Sequence, residues 1–379
     1  MSRGAGELTR ARVADPGSAR LAWAEGLTVS WPATLLDGAH GLTRDAAGDV
    51  LLPAAPVAAA APYAAALRLR AAFTPAPVSS RLPFSYRTVP APVRHLLAGA
   101  LGRWQRRRVG VWARFPDWPL DLSADVLADL AGTADAAGAP ATRTGPAPVV
   151  LTHDIDSAEG LAHLTDLFLP LEEAAGARST SFVVPCAWPL DEGRLADVRA
   201  RGHELGVHGY DHGNRTPFAP PAERRQRLDG AATFAARAAA TGYRAPSLLR
   251  TRALLDDLQG RYRYDSSIPT SGGLFPVPNN GCASARPFAI GGVMELPLSL
   301  PRDGSLGFLG YQPAEALELW KACTTRIARA GGVSVLLTHC ETRFSGNPAW
   351  LAAYRAFLDW VRAAPDLRFA LAGDVVAGA

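Results

Sequence analysis

Lysine is almost missing from this chain: Lys321 is the only one, so 38 of the 39 basic residues are arginine. Alanine, glycine and proline are heavily used beside it, and the net charge is only +4. That combination reads as the codon bias of a GC-rich genome. A nucleic-acid footprint would gather its basic residues on one face, so no nucleic-acid partner is expected. Cysteine is scarce too. Cys186, Cys282, Cys323 and Cys340 show no C-x-x-C spacing, which argues against a disulfide framework and predicts free buried thiols in a reducing compartment. No apolar run approaches the roughly 18 residues of a membrane span, and Met1–Leu27 carries arginines and acids but no signal-type run. A cytoplasmic protein is therefore expected, with any membrane contact peripheral. No G-x-G-x-x-G occurs, which argues against an open dinucleotide-binding sheet.

What is present suffices for a large core. The chain has 379 residues, 48% hydrophobic and 20% charged, an ordinary globular balance. The segment Gly132–Pro148 is small, rich in proline and glycine, and without apolar periodicity. It reads as a linker and divides the chain into residues 1–145 and residues 146–379. After it, apolar runs alternate with helical patterns. Strands are predicted at Val149–Thr152, Ser179–Val184, Leu205–Val207, Tyr262–Ser266, Val293–Leu298, Val333–Thr338 and Arg368–Leu371. Helices are predicted at Ala158–Gly176, Asp191–Arg201, Pro221–Thr241, Pro313–Ala330 and Trp350–Ala363. Such alternation predicts an α/β fold with a parallel sheet, closed as a distorted barrel. Before the linker, strands at Leu27–Trp31 and Val50–Leu52 and helices at Ala91–Arg107 and Ser123–Ala131 suggest a smaller α+β region. No role for it can be read from its residues.

Four short segments carry chemistry. In Leu151-Thr-His-Asp154-Ile-Asp156-Ser157 an apolar strand ends in two carboxylates at i and i+2. In a strand that spacing puts both on one side. A cation would hold one ionised while the other acts as a base. The competing reading is that Asp156 or Ser157 merely caps the next helix. In Gly202-His-Glu-Leu-Gly-Val-His208-Gly-Tyr-Asp-His212, two histidines stand at H-x3-H spacing after a short strand. Whether in a helical turn or a tight loop, they can meet on one metal. Two histidines and one carboxylate leave a coordination position open, as catalytic sites do. Neutral imidazole suits zinc and similar divalent ions. In Tyr243-Arg244-Ala-Pro246, the arginine can hold a carboxylate through paired hydrogen bonds, unless it is one more surface arginine. In Val335-Leu-Leu-Thr-His339-Cys340-Glu341, the histidine ends an apolar strand and is placed as a general acid. Cys340 points the other way and reads as structural. The cluster Arg103-Trp-Gln-Arg-Arg-Arg108 is either a solvated helix face or a contact for an anionic carrier lipid or nucleotide-linked sugar.

Taken in order, these segments resemble the polysaccharide deacetylases, the NodB-homology or carbohydrate esterase family four group, over about Pro146 to the C-terminus. The resemblance implies a distorted (β/α)7 barrel in residues 146–379. It implies Asp154 as catalytic base, oriented by Arg244, and Asp156, His208 and His212 as metal ligands. His339 becomes the general acid, and a backbone N–H at Ser247 helps stabilise the oxyanion. The metal implied is divalent, zinc first, with cobalt or nickel as alternatives. The substrate implied is an acetylated amino sugar as a glycoside, oligosaccharide or carrier-linked sugar, from which acetate is released. An amidohydrolase or acetyl esterase on another substrate would need the same machinery, and a non-catalytic binding protein could use the same barrel. Two departures stand out. Ser247 and Leu248 replace the usual Tyr-Gly, and the family's fourth motif, an aspartate and tryptophan that tune the acid histidine, has no clear match. Glu295 or Asp303 are its candidate substitutes.

Overall fold

The computed structural model describes residues 8–15, 28–32, 43–44, 50–53, 60–77, 80, 90–113, 115–134, 145–274 and 277–379. Near the N-terminus, β1 (Leu8–Asp15), β2 (Thr28–Pro32), β3 (Thr43–Arg44) and β4 (Val50–Pro53) form a mixed sheet in the order β2-β1-β4-β3. The expected strands at Leu27–Trp31 and Val50–Leu52 are β2 and β4, with Leu27 itself outside the described residues.

The larger sheet is built from β5 (Ala147–Ile155), β6 (Ser179–Val183), β7 (Glu204–Val207), β8 (Gly242–Tyr243) and β9 (Tyr264–Asp265). A hairpin of β10 (Gly272–Leu274) and β11 (Val277–Asn280) is inserted before β12 (Phe288–Ile290) and β13 (Val293–Glu295). The sheet is completed by β14 (Ser334–His339), and β15 (Leu367–Phe369) pairs with the start of β5. Seven strands run parallel in the order β13-β9-β8-β7-β6-β5-β14. This is the expected (β/α)7 arrangement. Its distortion lies between β13 and β14, where no regular ladder forms. There the Leu300 N–H donates to the Val335 carbonyl at 3.1 Å and the Ser299 hydroxyl to the Val333 carbonyl at 2.6 Å.

Central strands covered on both faces read as continuous apolar runs, and all nine residues of β5 are buried. Burial also takes β5 further than expected, through Asp154 to Ile155. The flanking helices are amphipathic. Pro313–Arg329 starts with proline and a Gln312–Glu315 capping box, and buries Ala316, Trp320, Cys323 and Ile327, a spacing that aligns one helical face. The helix expected over Ala158–Gly176 carries a π turn at Leu164–Phe168 and stops before Gly176, whose φ is 77°.

The expected linker is shorter than Gly132–Pro148. A helix spans Ser123–Ala134 and β5 starts at Ala147; residues 135–144 lie outside the described residues. The chain before it is fastened to the barrel. The Thr74 N–H donates to the Arg250 carbonyl at 3.0 Å. Asp125 accepts from the Ser284 hydroxyl (2.6 Å) and the Ala285 N–H (2.8 Å), and Asp129 takes both terminal nitrogens of Arg286. Such bonds are strong because each is buried or charge-assisted. All four cysteines are free, but only Cys282, Cys323 and Cys340 are buried; Cys186 is exposed, on the turn after β6. It stands three residues past the Val183 end of β6, beyond Pro185.

Candidate active site

The four segments meet at the C-terminal ends of β5, β7, β8 and β14, where catalytic side chains of such barrels gather. Strand pleat sends Thr152 and Asp154 inward and His153 to the helix side. There His153 is gripped by Thr338 (2.9 Å) and Glu172 (2.8 Å). Ser157, not Asp156, caps the next helix by accepting the Gly160 N–H at 3.1 Å. Asp156 is thereby released for the site. Its Oδ2 lies 3.3 Å from His212 Nε2 and its Oδ1 3.6 Å from His208 Nε2.

The two histidines stand in a tight loop rather than a helix. Gly209 has φ 65° and His212 φ 57°. A Cβ on Gly209 would come within 2.5 Å of the Pro246 ring, so glycine is needed for the loop to pack on the β8 turn. His212, a non-glycine residue in the left-handed region, carries strain of about 1–2 kcal/mol. Such outliers gather where the surroundings enforce a side-chain position. His208 Nδ1 lies 3.0 Å from the Arg244 carbonyl. A carbonyl only accepts, so Nδ1 carries the hydrogen and Nε2 is left as a lone-pair donor. Burial holds His208 neutral by lowering its pKa, against Asp154 and Asp156.

The fit to a divalent ion can be judged on these residues. Asp156, His208 and His212 offer ligand atoms that all lie within 4.8 Å of one another. Asp156 Oδ1 is buried and has no hydrogen-bond partner, a costly state for a carboxylate oxygen. Three nitrogen and oxygen donors, one with its second nitrogen fixed by a carbonyl, suit zinc-like chemistry.

Arg244 lies beside this trio, fully buried. Its Nη1 donates to Asp154 Oδ1 at 2.9 Å and to Thr152 Oγ1 at 3.0 Å; Nε and Nη2 bind the carbonyl and hydroxyl of Ser266. The expected paired grip on a carboxylate is thus a single bond, because the other donors go to Ser266, just past β9. The guanidinium stacks 4.0 Å above the Phe182 ring. That ring has room because β7 carries Gly206 beside it, where a Cβ would stand 2.5 Å away. Burial would raise the Asp154 pKa, but His208, Arg244 and His339 overcome it and hold it at about 2. The Asp154 carboxyl is therefore ionised throughout the neutral range.

His339, the register partner of Asp154 on β14, completes the group. Its Nδ1 donates to Asp303 Oδ1 at 2.8 Å and its backbone N–H to Asp303 Oδ2 at 2.7 Å. Asp303 also accepts from the Gly304 N–H and the Ser345 hydroxyl, so the pair is rigid. Burial would lower the His339 pKa, but Asp303, then Asp154 and Asp156, raise it to about 9. Of the two candidates, Asp303 is the one that bonds His339. Glu295 is on β13, where it accepts the Ile268 N–H and lies against Asp265. Ser247 sits in the turn after β8 with φ 53°; the neighbouring N–H groups of Leu248 and Leu249 close that turn onto Ala245 and Pro246.

Three contributors were not assigned from sequence. Phe344 lies 4.7 Å from the His339 ring. Glu341, held by the Ser157 hydroxyl at 2.7 Å, is raised to about 7 by burial and Asp156. Arg302, in the field of Asp154 and Asp303, is fixed through Nε to Ser305 at 2.9 Å. Arg302 precedes Asp303 and Glu341 follows His339 by two, but neither stands in a pattern that carried its own signal.

No protein-family model and no curated protein matches the chain. Solved structures do resemble it. A protein from Mycobacterium smegmatis assigned as a polysaccharide deacetylase is 22% identical, with a TM-score of 0.47 over 62% of this chain and 91% of that one. A chitin deacetylase from the fungal pathogen Colletotrichum lindemuthianum is 19% identical, with a TM-score of 0.41 over 61% and 88%. An allantoinase is 16% identical, with a TM-score of 0.45 over 69% and 97%. Polysaccharide deacetylases and family four carbohydrate esterases thus stand among the structural neighbours, the group the motif order resembles.

Proposed function

We propose that residues 146–379 form a metal-dependent deacetylase that removes an N-acetyl group from an amino sugar, giving acetate and the free amine. One observation carries the reading. A trio of ligand atoms with a buried, unpartnered Asp156 oxygen stands with an ionised Asp154 and a protonated His339, register partners on β5 and β14. Two neighbouring titratable groups pushed apart in pKa are the arrangement acid–base hydrolysis needs.

Asp156, His208 and His212 would hold the ion, zinc first and cobalt or nickel otherwise. A divalent ion there supplies a Lewis acid for the acetamide carbonyl and lowers the pKa of water. Asp154, steadied by Arg244, takes one proton from the attacking water as its oxygen bonds to the carbonyl carbon. The Ser247 N–H donates to the carbonyl oxygen as negative charge develops on it. His339 gives its Nε2 proton to the nitrogen as the C–N bond breaks. Asp303 keeps that imidazole charged and aimed. The substrate class follows from the resemblance of the motifs; the geometry serves an amide or an ester alike.

The test is acetate release from a panel of N-acetylated glycosides, with other amides and acetyl esters as controls, with and without chelator. Release from the glycosides alone, lost with chelator and restored by zinc, supports the proposal. Preference for the controls moves the activity to another substrate of the same machinery. No turnover of any substrate by metal-loaded protein leaves a binding role for the barrel.

A further inference from the structure

Among the described residues, every large hydrophobic side chain that stands exposed lies between Leu69 and Val111. None belongs to the barrel. Leu96 is 73% exposed, Leu97 64%, Val111 56% and Trp104 51%. Surface helices normally turn their apolar stripe inward. The Ala91–Arg106 helix does the reverse. At about 3.6 residues per turn, Val93, Leu96, Leu97, Ala100 and Trp104 share one stripe, and all are exposed. The opposite side carries buried Gly102 and Gln105. Gly102 seats the helix on the Asp303–Leu309 helix so closely that a Cβ would stand 1.8 Å from the Phe308 carbonyl oxygen. The outward stripe is thus not a helix waiting for the barrel; that contact is already made by its other face.

Along this part of the chain the charge is of one sign. Between Asp49 and Asp117 the chain has ten arginines and no carboxylate side chain. Arg106 is engaged inward, with the Gly310 carbonyl (2.7 Å) and Glu315 (3.3 Å). Arg103, Arg107 and Arg108 stand exposed at the end of the stripe, and Arg108 lies 4.6 Å from the Trp104 ring. No helix among the described residues is long and apolar enough to cross a membrane.

We propose that this helix and the turn after it seat the protein on an anionic phospholipid bilayer. Leu96, Leu97 and Trp104 enter the interfacial layer, and Arg103, Arg107 and Arg108 meet lipid phosphates. An exposed apolar stripe flanked by arginine, with a tryptophan at the boundary, is the composition of interfacial helices. A second copy of this chain is a poorer occupant, because an identical face would bring arginine against arginine, and neither the helix nor the turn carries an acid. The seating has a consequence for the site. The Asp303–Leu309 helix joins the two, its first residue binding His339 and its end carrying Gly102. The bilayer surface therefore lies one helix away from the acid histidine. The inference does not depend on the chemistry proposed above.

The full chain should be sedimented with vesicles of phosphatidylcholine alone and of phosphatidylcholine mixed with phosphatidylglycerol. Binding at least about tenfold tighter to the anionic vesicles is expected, weakening at high salt as Debye screening requires. Leu96→Glu/Leu97→Glu should abolish it. Arg103→Gln/Arg107→Gln/Arg108→Gln should weaken it about a hundredfold, at about fivefold per arginine. Both variants should keep the wild-type circular dichroism and metal content. Failure to sediment with either vesicle overturns the proposal, as does equal binding to both. A concentration-dependent dimer in light scattering, dissolved by Leu96→Glu/Leu97→Glu, overturns it in favour of a second copy.

Discussion

The barrel holds two pairs of carboxyl groups in close quarters, and it keeps them in opposite states. Asp154 and Asp156 leave the end of β5; Asp265 and Glu295 are register partners on β9 and β13. Asp154, Asp265 and Glu295 are buried. In each, burial by itself pushes the pKa up. Around Asp154 and Asp156, His208, His212, Arg244 and His339 reverse that push. Around Asp265 and Glu295 nothing does so. Arg250 is near, but its donors go to the Ala72 and Leu248 carbonyls and to Asn280, and the two carboxyls repel each other. Both are raised, Glu295 far above its ordinary range. Asp265 Oδ2 and Glu295 Oε2 have no other partner, so one proton held between them satisfies both. Burial is common to the two pairs; the neighbours of each decide which pair stays ionised and which shares a proton.

The largest break in this comparison should come from Asp154→Asn. Hydrolysis should fall roughly 10²–10⁴-fold, the usual worth of a general base, while bound metal measured by atomic emission stays at the wild-type level. Wild-type turnover by this variant would remove Asp154 from the mechanism. His208→Ala attacks the other half of the pair's environment. Its purified protein should lose stoichiometric metal, and adding zinc should not restore it. Full metal occupancy in that variant would mean the ion sits elsewhere.

Asp303→Asn should act more mildly, through His339. The Asp303 carboxylate is what lifts His339 to about 9 against burial. Without it the acid form is lost at lower pH, so the alkaline limb of the pH–rate profile should move down. The linkage has the same sign. A histidine whose pKa is raised on folding contributes stability that is complete below about pH 6.5 and lost as pH rises through about 9. The variant should therefore melt lower than wild type near neutrality, with the gap closing in alkali. An unmoved alkaline limb would show that Asp303 only packs against the histidine.

Much of this site is legible in the sequence, and the reasons are local. Strand ends are marked by apolar runs, and H-x3-H, D-x-D and Arg-x-Pro fall directly after such runs. Asp154, Asp156, His208, His212, Arg244 and His339 therefore converge as soon as the strands are laid parallel. What failed to show depends on approach across the chain. Asp303 was only one of two candidates, because its bond to His339 spans 36 residues and no tryptophan follows it. The single bond from Arg244 to Asp154 reflects Ser266, whose claim on the guanidinium no spacing reveals. The π turn inside the first helix and the exposure of Cys186 likewise follow from packing rather than from pattern. Before the linker, elements could be placed but not their purpose, since an outward apolar stripe looks in sequence like an inward one.

The smallest effect, and the sharpest on the comparison, belongs to Glu295→Gln. Glutamine keeps an oxygen for the Ile268 N–H and offers an amide hydrogen to Asp265 in place of the shared proton. A carboxyl whose pKa is raised on folding supports the fold fully below its ordinary value, and that support drains as pH rises toward the folded value. Glutamine has no proton to lose. Melting temperatures of variant and wild type should nearly coincide at about pH 5, and the variant should melt higher at about pH 9. Asp154→Asn should differ in sign at about pH 9. It removes an ionised carboxylate whose pKa is lowered to about 2, and it leaves the buried Arg244 without its counter-charge, a loss of a few kcal/mol in the usual case. A gap between wild type and Glu295→Gln that stays constant across that pH range would mean no proton is held on β13. The two carboxyl pairs would then differ in position but not in state.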